Sequence, residues 1–404
     1  MNKATTELMR ALTKLGPAEL RSLLQEAFSR GAYHGERAIE YSNNQGLALT
    51  VEYSANANVK SVTAGPYLNK EDISRITGLL DRLQQHNGEY IASLFLFSNR
   101  PVRGWWRYKD QWQILPPPQS APMPSELFGK WPFLLEVKCP SSDDFAIKLL
   151  RHHRAINPLR LLLPVLLNGP LFQPLNWQPH MHWVLLNTPS QGVENPLPHY
   201  LQEYYWLPDI EAERETFTFL DDELRLDANA DIAGYYDPEG RTGDELLEVP
   251  ELLPELFETY SSLTPVLQQQ YLRAAYWFGL GRFLAEYSSS MSFVAYVTAI
   301  ESLLTKEGPH NCPVCSQNHY PSITKAFRDF LARFVHSRPD RETFYARRSQ
   351  LTHGLTVLSS DIREEFGSFH PSRINEDEDY RRIGQVCRQA LVNWLAAQGP
   401  SAPT

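Results

Sequence analysis

The sequence predicts an α+β N-terminal region followed by an all-α helical bundle with an inserted Cys/His loop. Three observations lead to this fold class. Runs with strand character surround one strongly periodic helix before residue 116, and after residue 251 apolar residues recur mostly at helical spacing. A cluster of Cys and His residues between positions 310 and 319 interrupts the helical part.

Length and composition indicate a folded chain of more than one domain. The sequence has 404 residues, of which 42% are hydrophobic and 12% aromatic, values typical of globular proteins. We expect an α+β domain over 1–115, a mixed α/β region with proline-rich and acidic connections over 116–245, and a helical domain over 246–404.

Charge and cysteine usage exclude several classes of protein. The net charge of −9 provides no general attraction for nucleic acid, so any RNA contact must be local. Four cysteines in a chain of this length do not form a secreted disulfide framework. The first twenty residues do not resemble a signal peptide, and the longest apolar run, 159–167, is too short for a bilayer. The expectation is a cytoplasmic protein without membrane contact.

Local patterns place the N-terminal elements. Amphipathic helix is predicted in 1–30 with a break at Gly16–Pro17, and a second helix over 70–85. Strands are expected at 47–54, 59–64, 90–97 and 104–115. The last of these carries three tryptophans, which either stack on a ligand or, as we favour, pack across the sheet: Trp105, Trp106 and Trp112.

The remaining elements follow from the same signals. A strand over 131–138, a helix pair meeting near Pro158 and a short strand at 182–186 are expected in the middle region. Apolar residues then recur at spacings of three and four, which is typical of a helical bundle. The predicted helical stretches are 251–305 with a break near residues 288–290, 322–335, 340–353 and 376–397.

The helix ending at Gly354 contains the candidate active site. Asp340 can cap its start, and glycine can stop it because only glycine enters left-handed conformation without strain. Arg348 and His353 would then lie near its end, where the helix dipole favours positive charge. We expect the buried stripe of this helix to be formed by Phe344, Leu351 and Leu355.

Spacing alone does not make this pair a site. An arginine five or six residues before a histidine also arises by chance in a chain of this composition. From the residues alone, an ion-pairing arginine and a helix-capping histidine are the simpler interpretation.

Residues 271–397 resemble a HEPN domain of the ApeA-like branch. The resemblance covers about a third of the chain and lies in the segments Tyr271–Phe278, Ala299–Leu304 and Arg348-Ser349-x-Leu351-x-His353-Gly354. It implies a metal-independent endoribonuclease that acts as a homodimer, with Arg348 and His353 as catalytic residues.

Further residues are assigned to the same site. Arg347, Ser349, Glu301 and Tyr345 are expected to support the catalytic pair, with Glu301 holding Arg348 unless it faces solvent. Basic residues of 325–348 form either an RNA-binding patch or a solvated helix face, and the RNA contacts are assigned to Lys325, Arg328 and Arg341.

The Cys/His loop matches one half of a zinc site. Two thiolates separated by two residues can face one ion. The flanking imidazoles are the weaker ligands, because four ligands in ten residues make a cramped loop, and another ligand could come from elsewhere in the chain or from a partner chain. We predict a structural zinc ion, with no cofactor for catalysis; the alternative is two reduced cysteines in a loop. The assigned ligands are Cys312, Cys315, His310 and His319.

Two other interpretations stay open. The helical domain could be a non-catalytic HEPN dimerisation or nucleotide- or RNA-binding scaffold. Alternatively, the N-terminal region senses a phage-derived or small-molecule trigger and keeps the nuclease silent until then. Similarity to ApeA-like proteins implies a role in antiviral defence by abortive infection, with the protein acting as a toxin.

Overall fold

The computed structural model describes residues 3–28, 30–55, 58–84, 88–117, 131–143, 145–168, 184–186, 199–201, 213–236, 246–285, 287–304, 310–311, 318–319, 322–335, 341–362 and 371–399. The chain divides into two compact units. The first unit comprises Met1–Ala92, Val137–Ile156 and Glu213–Thr216, and the second comprises Ser93–Glu136, Asn157–Ala212 and Phe217–Thr404. The protein is thus mixed α/β, with sheets toward the N-terminus and several helices toward the C-terminus.

Three helices and a meander sheet form most of the first unit. The helices are α1 Lys3–Thr13, α2 Pro17–Ala27 and α3 Lys70–Gln84, and the strands are β1 Arg30–His34, β2 Ala38–Asn43, β3 Gly46–Tyr53 and β4 Val59–Ala64. The four strands are antiparallel in the order β1-β2-β3-β4. Helices α1, α2 and α3 bury leucines against this sheet, among them Leu12, Leu20, Leu24 and Leu79.

The sequence predicted α3, β3 and β4 but not the β1–β2 hairpin. The break at Gly16–Pro17 is confirmed, since α2 begins at Pro17 with Gly16 as its N-cap. Strand β1 is exposed at all five positions, so its sequence shows none of the alternation that marks a half-buried strand.

The strands that follow in the chain are β5 Glu89–Ser98, β6 Trp106–Tyr108, β7 Trp112–Leu115, β8 Trp131–Pro140, β9 Val184–Leu186, β10 His199–Leu201 and β11 Glu213–Arg214. Five of them form a second sheet in the order β11-β5-β8-β7-β6. The stretch predicted as one strand over 104–115 is a hairpin that turns at Lys109, where φ is +49°. Trp112 is buried, 5.1 Å from the Trp106 ring and 4.9 Å from Phe257, so it packs in the core as favoured. Trp105 and Trp106 are only half-buried, so core packing is confirmed for one of the three tryptophans.

A single helix replaces the helix pair predicted near Pro158. Helix α4 runs from Phe145 to Leu166 and contains both Pro158 and Pro164. A proline inside a helix removes one backbone hydrogen bond, which is why the sequence suggested a break. Apolar residues after Pro158 are fully buried, and their packing offsets the lost bond: Leu162, Leu163, Val165 and Leu166.

Helices dominate the second unit. They are α5 Ile232–Tyr236, α6 Leu253–Ser262, α7 Pro265–Leu284, α8 Ser289–Glu301, α9 Ile323–Phe334, α10 Arg341–Thr352 and α11 Pro371–Ala396, with short strands β12 Ala228–Asn229, β13 Val249–Pro250, β14 His310–Asn311 and β15 Asn318–His319. Helix α8 packs against α7, α10 and α11. Its buried face includes Phe293, Val297 and Ile300.

Helix termini in this unit match the sequence signals closely. The break near residue 288 is the junction of α7 and α8, where the Ser288 side chain accepts from the Met291 amide. Helix α9 begins after Ser322, whose side chain accepts from the Lys325 amide. Both serines are typical N-caps, because their hydroxyls satisfy amides of the first turn. Helix α11 begins five residues before its predicted start.

Throughout the described ranges, the helices are all too short or too polar to cross a membrane.

Candidate functional site

Helix α10 ends in the left-handed glycine turn that the sequence predicts. Gly354 has φ +67°. Its amide donates to the carbonyl of Leu351 at 3.2 Å, and the Leu355 amide donates to the carbonyl of Gln350 at 3.0 Å. These two bonds form a Schellman motif, which satisfies the last carbonyls of the helix. His353 is therefore the C-cap residue.

The prediction of a buried stripe on this helix is only partly right. Phe344 is buried and meets the Phe293 ring of α8 edge-on at 6.1 Å, which fixes α10 against α8. Leu351 is half-buried. Leu355 is 76% exposed, so its assignment to the stripe is wrong. The turn at Gly354 redirects the chain before helical spacing can bring Leu355 back to the core.

Arg348 is held by Glu301 at the end of α8. Its Nη2 donates to Glu301 Oε2 at 3.0 Å, and both side chains are mostly buried. Burial raises the pKa of the Glu301 carboxyl, although the charge and hydrogen bond of Arg348 oppose this effect. Arg348 Nε is also buried, and no acceptor for it lies among the residues that the structure describes. The guanidinium is thus oriented by one carboxylate and retains an unused donor.

Arg347 faces a different partner. Its Nη2 lies 3.1 Å from Asp379 Oδ2 on α11, and both side chains are more than four-fifths buried. Sequence reasoning did not identify Asp379. The residue lies in an acidic run before the buried stripe of α11, and nothing in its spacing distinguishes it from its neighbours. The two adjacent arginines are therefore fixed in different directions, one toward α8 and one toward α11.

The structure places the His353 side chain at the surface. Its amide continues the helix by donating to the Ser349 carbonyl at 3.0 Å, while its side chain is exposed. Residues five apart on a helix are separated by a rotation of about 140° and a rise of about 7.5 Å. Because Arg348 points toward Glu301, one chain does not aim Arg348 and His353 at the same atom.

A small cavity lies beside this helix end. Its volume is about 240 Å³, and it is lined by Arg347, Gln350, Leu355, Thr356 and Leu358. The exposed Leu355 side chain thus lies at a concave surface rather than in the core.

The other predicted site residues are dispersed. The Tyr345 ring lies 5.4 Å from Phe327 of α9, and Ser349 is half-buried within α10. On α9, Lys325 is exposed and Arg328 is half-buried. Arg341 begins α10, but its side chain lies outside what the structure describes. Asp340, the predicted cap, also lies outside the described residues.

Asp361, which sequence reasoning missed, anchors the segment that follows His353. Its carboxylate accepts from the Ser288 hydroxyl at 2.9 Å and from the amides of Ser289 and Ser290 at 2.6 and 2.9 Å. The Leu358 amide donates to the Ser290 hydroxyl at 2.7 Å. A carboxylate at a helix N-terminus also opposes the positive end of the dipole. The chain between α10 and residue 361 is therefore fixed at both ends.

Replacing Asp361 with asparagine is expected to lower the free energy of unfolding by about 1–2 kcal/mol at neutral pH, as for loss of a charged helix cap. Burial raises the pKa of this carboxyl, but hydrogen bonds from Ser290, Ser288 and Ser289 lower it below its ordinary value. A depressed pKa stabilises the fold above the unfolded value of about 3.9, and this contribution is lost as the pH falls through the folded pKa. The difference between wild type and variant should therefore shrink below about pH 4.

Urea unfolding at several pH values measures this difference. Asp329→Asn, on the exposed face of α9, is the matched control and should change stability little. If both variants lowered the free energy of unfolding equally at neutral pH, Asp361 would not anchor the segment.

The predicted zinc loop is described only at its flanks. His310 and His319 are directly opposite each other in the antiparallel pair β14–β15. Cys312 and Cys315 lie outside the described residues. Among the residues that are described, no group of three or more His, Cys, Asp or Glu could hold a metal ion.

Comparisons with known proteins add no identification. No family model, no curated protein and no solved structure matches this chain. The protein has a mixed α/β fold. One capped helix of the second unit carries an arginine that is oriented by a carboxylate and a histidine that is exposed.

Proposed function

We propose that this chain is a metal-independent endoribonuclease of the HEPN type, with Arg348 and His353 as its catalytic residues. The strongest support for this proposal is the arrangement at the end of α10. There, Arg348 is oriented by a carboxylate, and His353 is exposed at the C-cap five residues later.

The chemistry suits these two side chains. RNA carries its own nucleophile, the 2′-hydroxyl. The 2′-oxygen attacks the adjacent phosphorus while an imidazole accepts its proton, and the bond to the 5′-oxygen breaks as that oxygen gains a proton. Arg348 stabilises the added negative charge on the phosphorane oxygens through its donors. The products are a 2′,3′-cyclic phosphate and a 5′-hydroxyl.

Two copies of the chain complete the proposed site. Because Arg348 and His353 diverge around α10, a second α10 across a two-fold axis would bring the His353 imidazole of one copy to the phosphate that Arg348 of the other copy contacts. RNA contacts would come from Lys325, Arg328 and Arg341, since the net charge of −9 offers no general attraction. A structural zinc ion in the loop of Cys312 and Cys315 belongs to the same proposal.

The test is cleavage of RNA by the purified full chain in the presence of EDTA. We expect cleavage to persist after chelation and its products to carry 2′,3′-cyclic phosphate and 5′-hydroxyl ends. Cleavage that stops in EDTA and returns with Mg²⁺ but not with Zn²⁺, or products with 5′-phosphates, would contradict the proposal.

A non-catalytic HEPN scaffold is the second candidate. It is favoured by the ion pairs of Arg348 with Glu301 and of Arg347 with Asp379, which already engage both guanidiniums. Such a protein would dimerise or bind RNA without cutting it, and its expression would not arrest growth.

In its biological role, the protein would act in the cytoplasm as an antiviral defence toxin. The N-terminal region would then restrain the nuclease until a phage-derived or small-molecule trigger binds. Growth arrest on expression of wild type, absent with His353→Ala, is the expected result.

A further inference from the structure

A cavity in the first unit is lined by none of the residues that line the cavity beside the end of α10. Its volume is about 510 Å³, within the range of small-molecule sites. Helix α2, the β1–β2 hairpin and the end of β3 form its walls, and its lining includes Arg21, Tyr33, Glu36, Arg37 and Tyr53.

Two guanidiniums at this cavity have no acidic partner among the residues that the structure describes. Arg21 lies on α2, Arg37 lies in the hairpin turn, and both are exposed. Within the described part of the chain, neither side chain makes a hydrogen bond or an ion pair. By contrast, Arg75, Arg82 and Arg154 of the same unit are each paired with a carboxylate. Two unpaired guanidiniums around one cavity form a suitable site for a phosphate group.

Two phenol rings lie beside these cations. Tyr33 on β1 is 74% exposed, although the ring is large and apolar. Tyr53 is half-buried, and its amide donates to the Arg37 carbonyl at 2.8 Å, which joins the end of β3 to the hairpin turn. Burial raises the pKa of the Tyr53 phenol, so it remains a neutral hydrogen-bond donor. An inorganic anion such as phosphate would contact the arginines but not the two rings. The rings therefore favour a ligand that carries an aromatic group as well as a negative charge.

We propose that this cavity binds a nucleoside phosphate. Arg21 and Arg37 contact the phosphate, Tyr33 and Tyr53 stack on or border the base, and the Glu36 carboxylate accepts from ribose hydroxyls or a base amino group. The same chemistry is found in a free nucleotide and in the phosphorylated end of an RNA chain. This site is separate from the nuclease proposed above, and binding to it does not depend on cleavage.

Isothermal titration of the full chain with AMP, ATP and inorganic phosphate tests this site. We expect both nucleotides to bind, with phosphate alone at least about tenfold weaker because it cannot stack. Arg21→Gln and Arg37→Gln should each weaken nucleotide binding about tenfold, as should Tyr33→Ala. All three side chains are exposed, so the variants should keep the fold, as circular dichroism can verify.

Arg30→Gln is the matched control, because Arg30 is exposed on β1 but does not line the cavity. It should bind nucleotide like the wild type. Absence of binding by both nucleotides, or equal affinities of the Arg21, Arg37 and Arg30 variants, would overturn the proposal.

A second titration distinguishes the two sources of ligand. A 5′-phosphorylated dinucleotide is compared with AMP in the His353→Ala chain, which should not consume it. Tighter binding of the dinucleotide would assign the cavity to RNA ends, and tighter binding of AMP would assign it to free nucleotides.

Discussion

His353→Ala is expected to reduce RNA cleavage at least about a hundredfold, the lower end of what general acid–base catalysis contributes. The side chain is exposed at the C-cap of α10, so its removal leaves the core intact. Arg348→Ala should cause a loss of similar size, because it removes donors from the charge that develops on the phosphate oxygens. Initial rates of cleavage of a labelled RNA measure both effects.

Controls separate catalysis from folding. Arg348→Ala leaves the Glu301 carboxylate mostly buried without its cation, which destabilises the fold. The double variant Glu301→Gln/Arg348→Ala removes that unpaired charge and should be equally inactive. Arg10→Ala, on the exposed side of α1, is the matched surface control and should cleave normally. Unchanged cleavage by the Arg348 and His353 variants would remove the nuclease proposal.

Mixing the two inactive chains tests the shared site. If each site uses residues from two copies, a mixed dimer of His353→Ala and Arg348→Ala retains one imidazole and one guanidinium. We expect cleavage to return on mixing. If the mixture stays as inactive as its components, the two-copy site is wrong.

Capping signals in the sequence predicted where the helices begin and end. They did not predict which distant residues contact those helices. The end of α10 at Gly354 and the start of α9 after Ser322 depend on backbone geometry and on hydrogen bonds within a few residues. Both features can be read from a single stretch of sequence. The pairs Arg347–Asp379 and Ser288–Asp361 join residues 32 and 73 positions apart, and they depend on how helices pack.

The same distinction explains the wrong assignments. Helical spacing placed Leu355 in the core, but the chain turns one residue earlier. Prolines suggested a broken α4, whereas burial of the leucines beside them keeps the helix continuous. The β1–β2 hairpin lacked a pattern because β1 is exposed throughout. In each case, tertiary packing or exposure outweighed a local preference.

Glu136→Ala is expected to cause the largest loss of stability, about 3 kcal/mol or more. Glu136 is 1% exposed on β8. Its carboxylate accepts from Gln113 Nε2 at 2.6 Å and from the Thr218 amide at 2.9 Å, and the Thr218 hydroxyl donates to it as well. Alanine would leave the Thr218 amide and hydroxyl without this acceptor, and the segment around residue 218 would lose both bonds to Glu136 of β8.

Urea unfolding followed by tryptophan fluorescence measures this loss, because Trp112 is buried directly beside Gln113 in the chain. The matched control is Glu258→Ala. Glu258 pairs with Lys109 at 2.9 Å, but both side chains are more than half exposed, so its removal should cost at most about 1 kcal/mol. Comparable losses of stability for the two variants would contradict this account. Water can replace an exposed carboxylate such as Glu258, whereas it does not reach the buried carboxylate of Glu136.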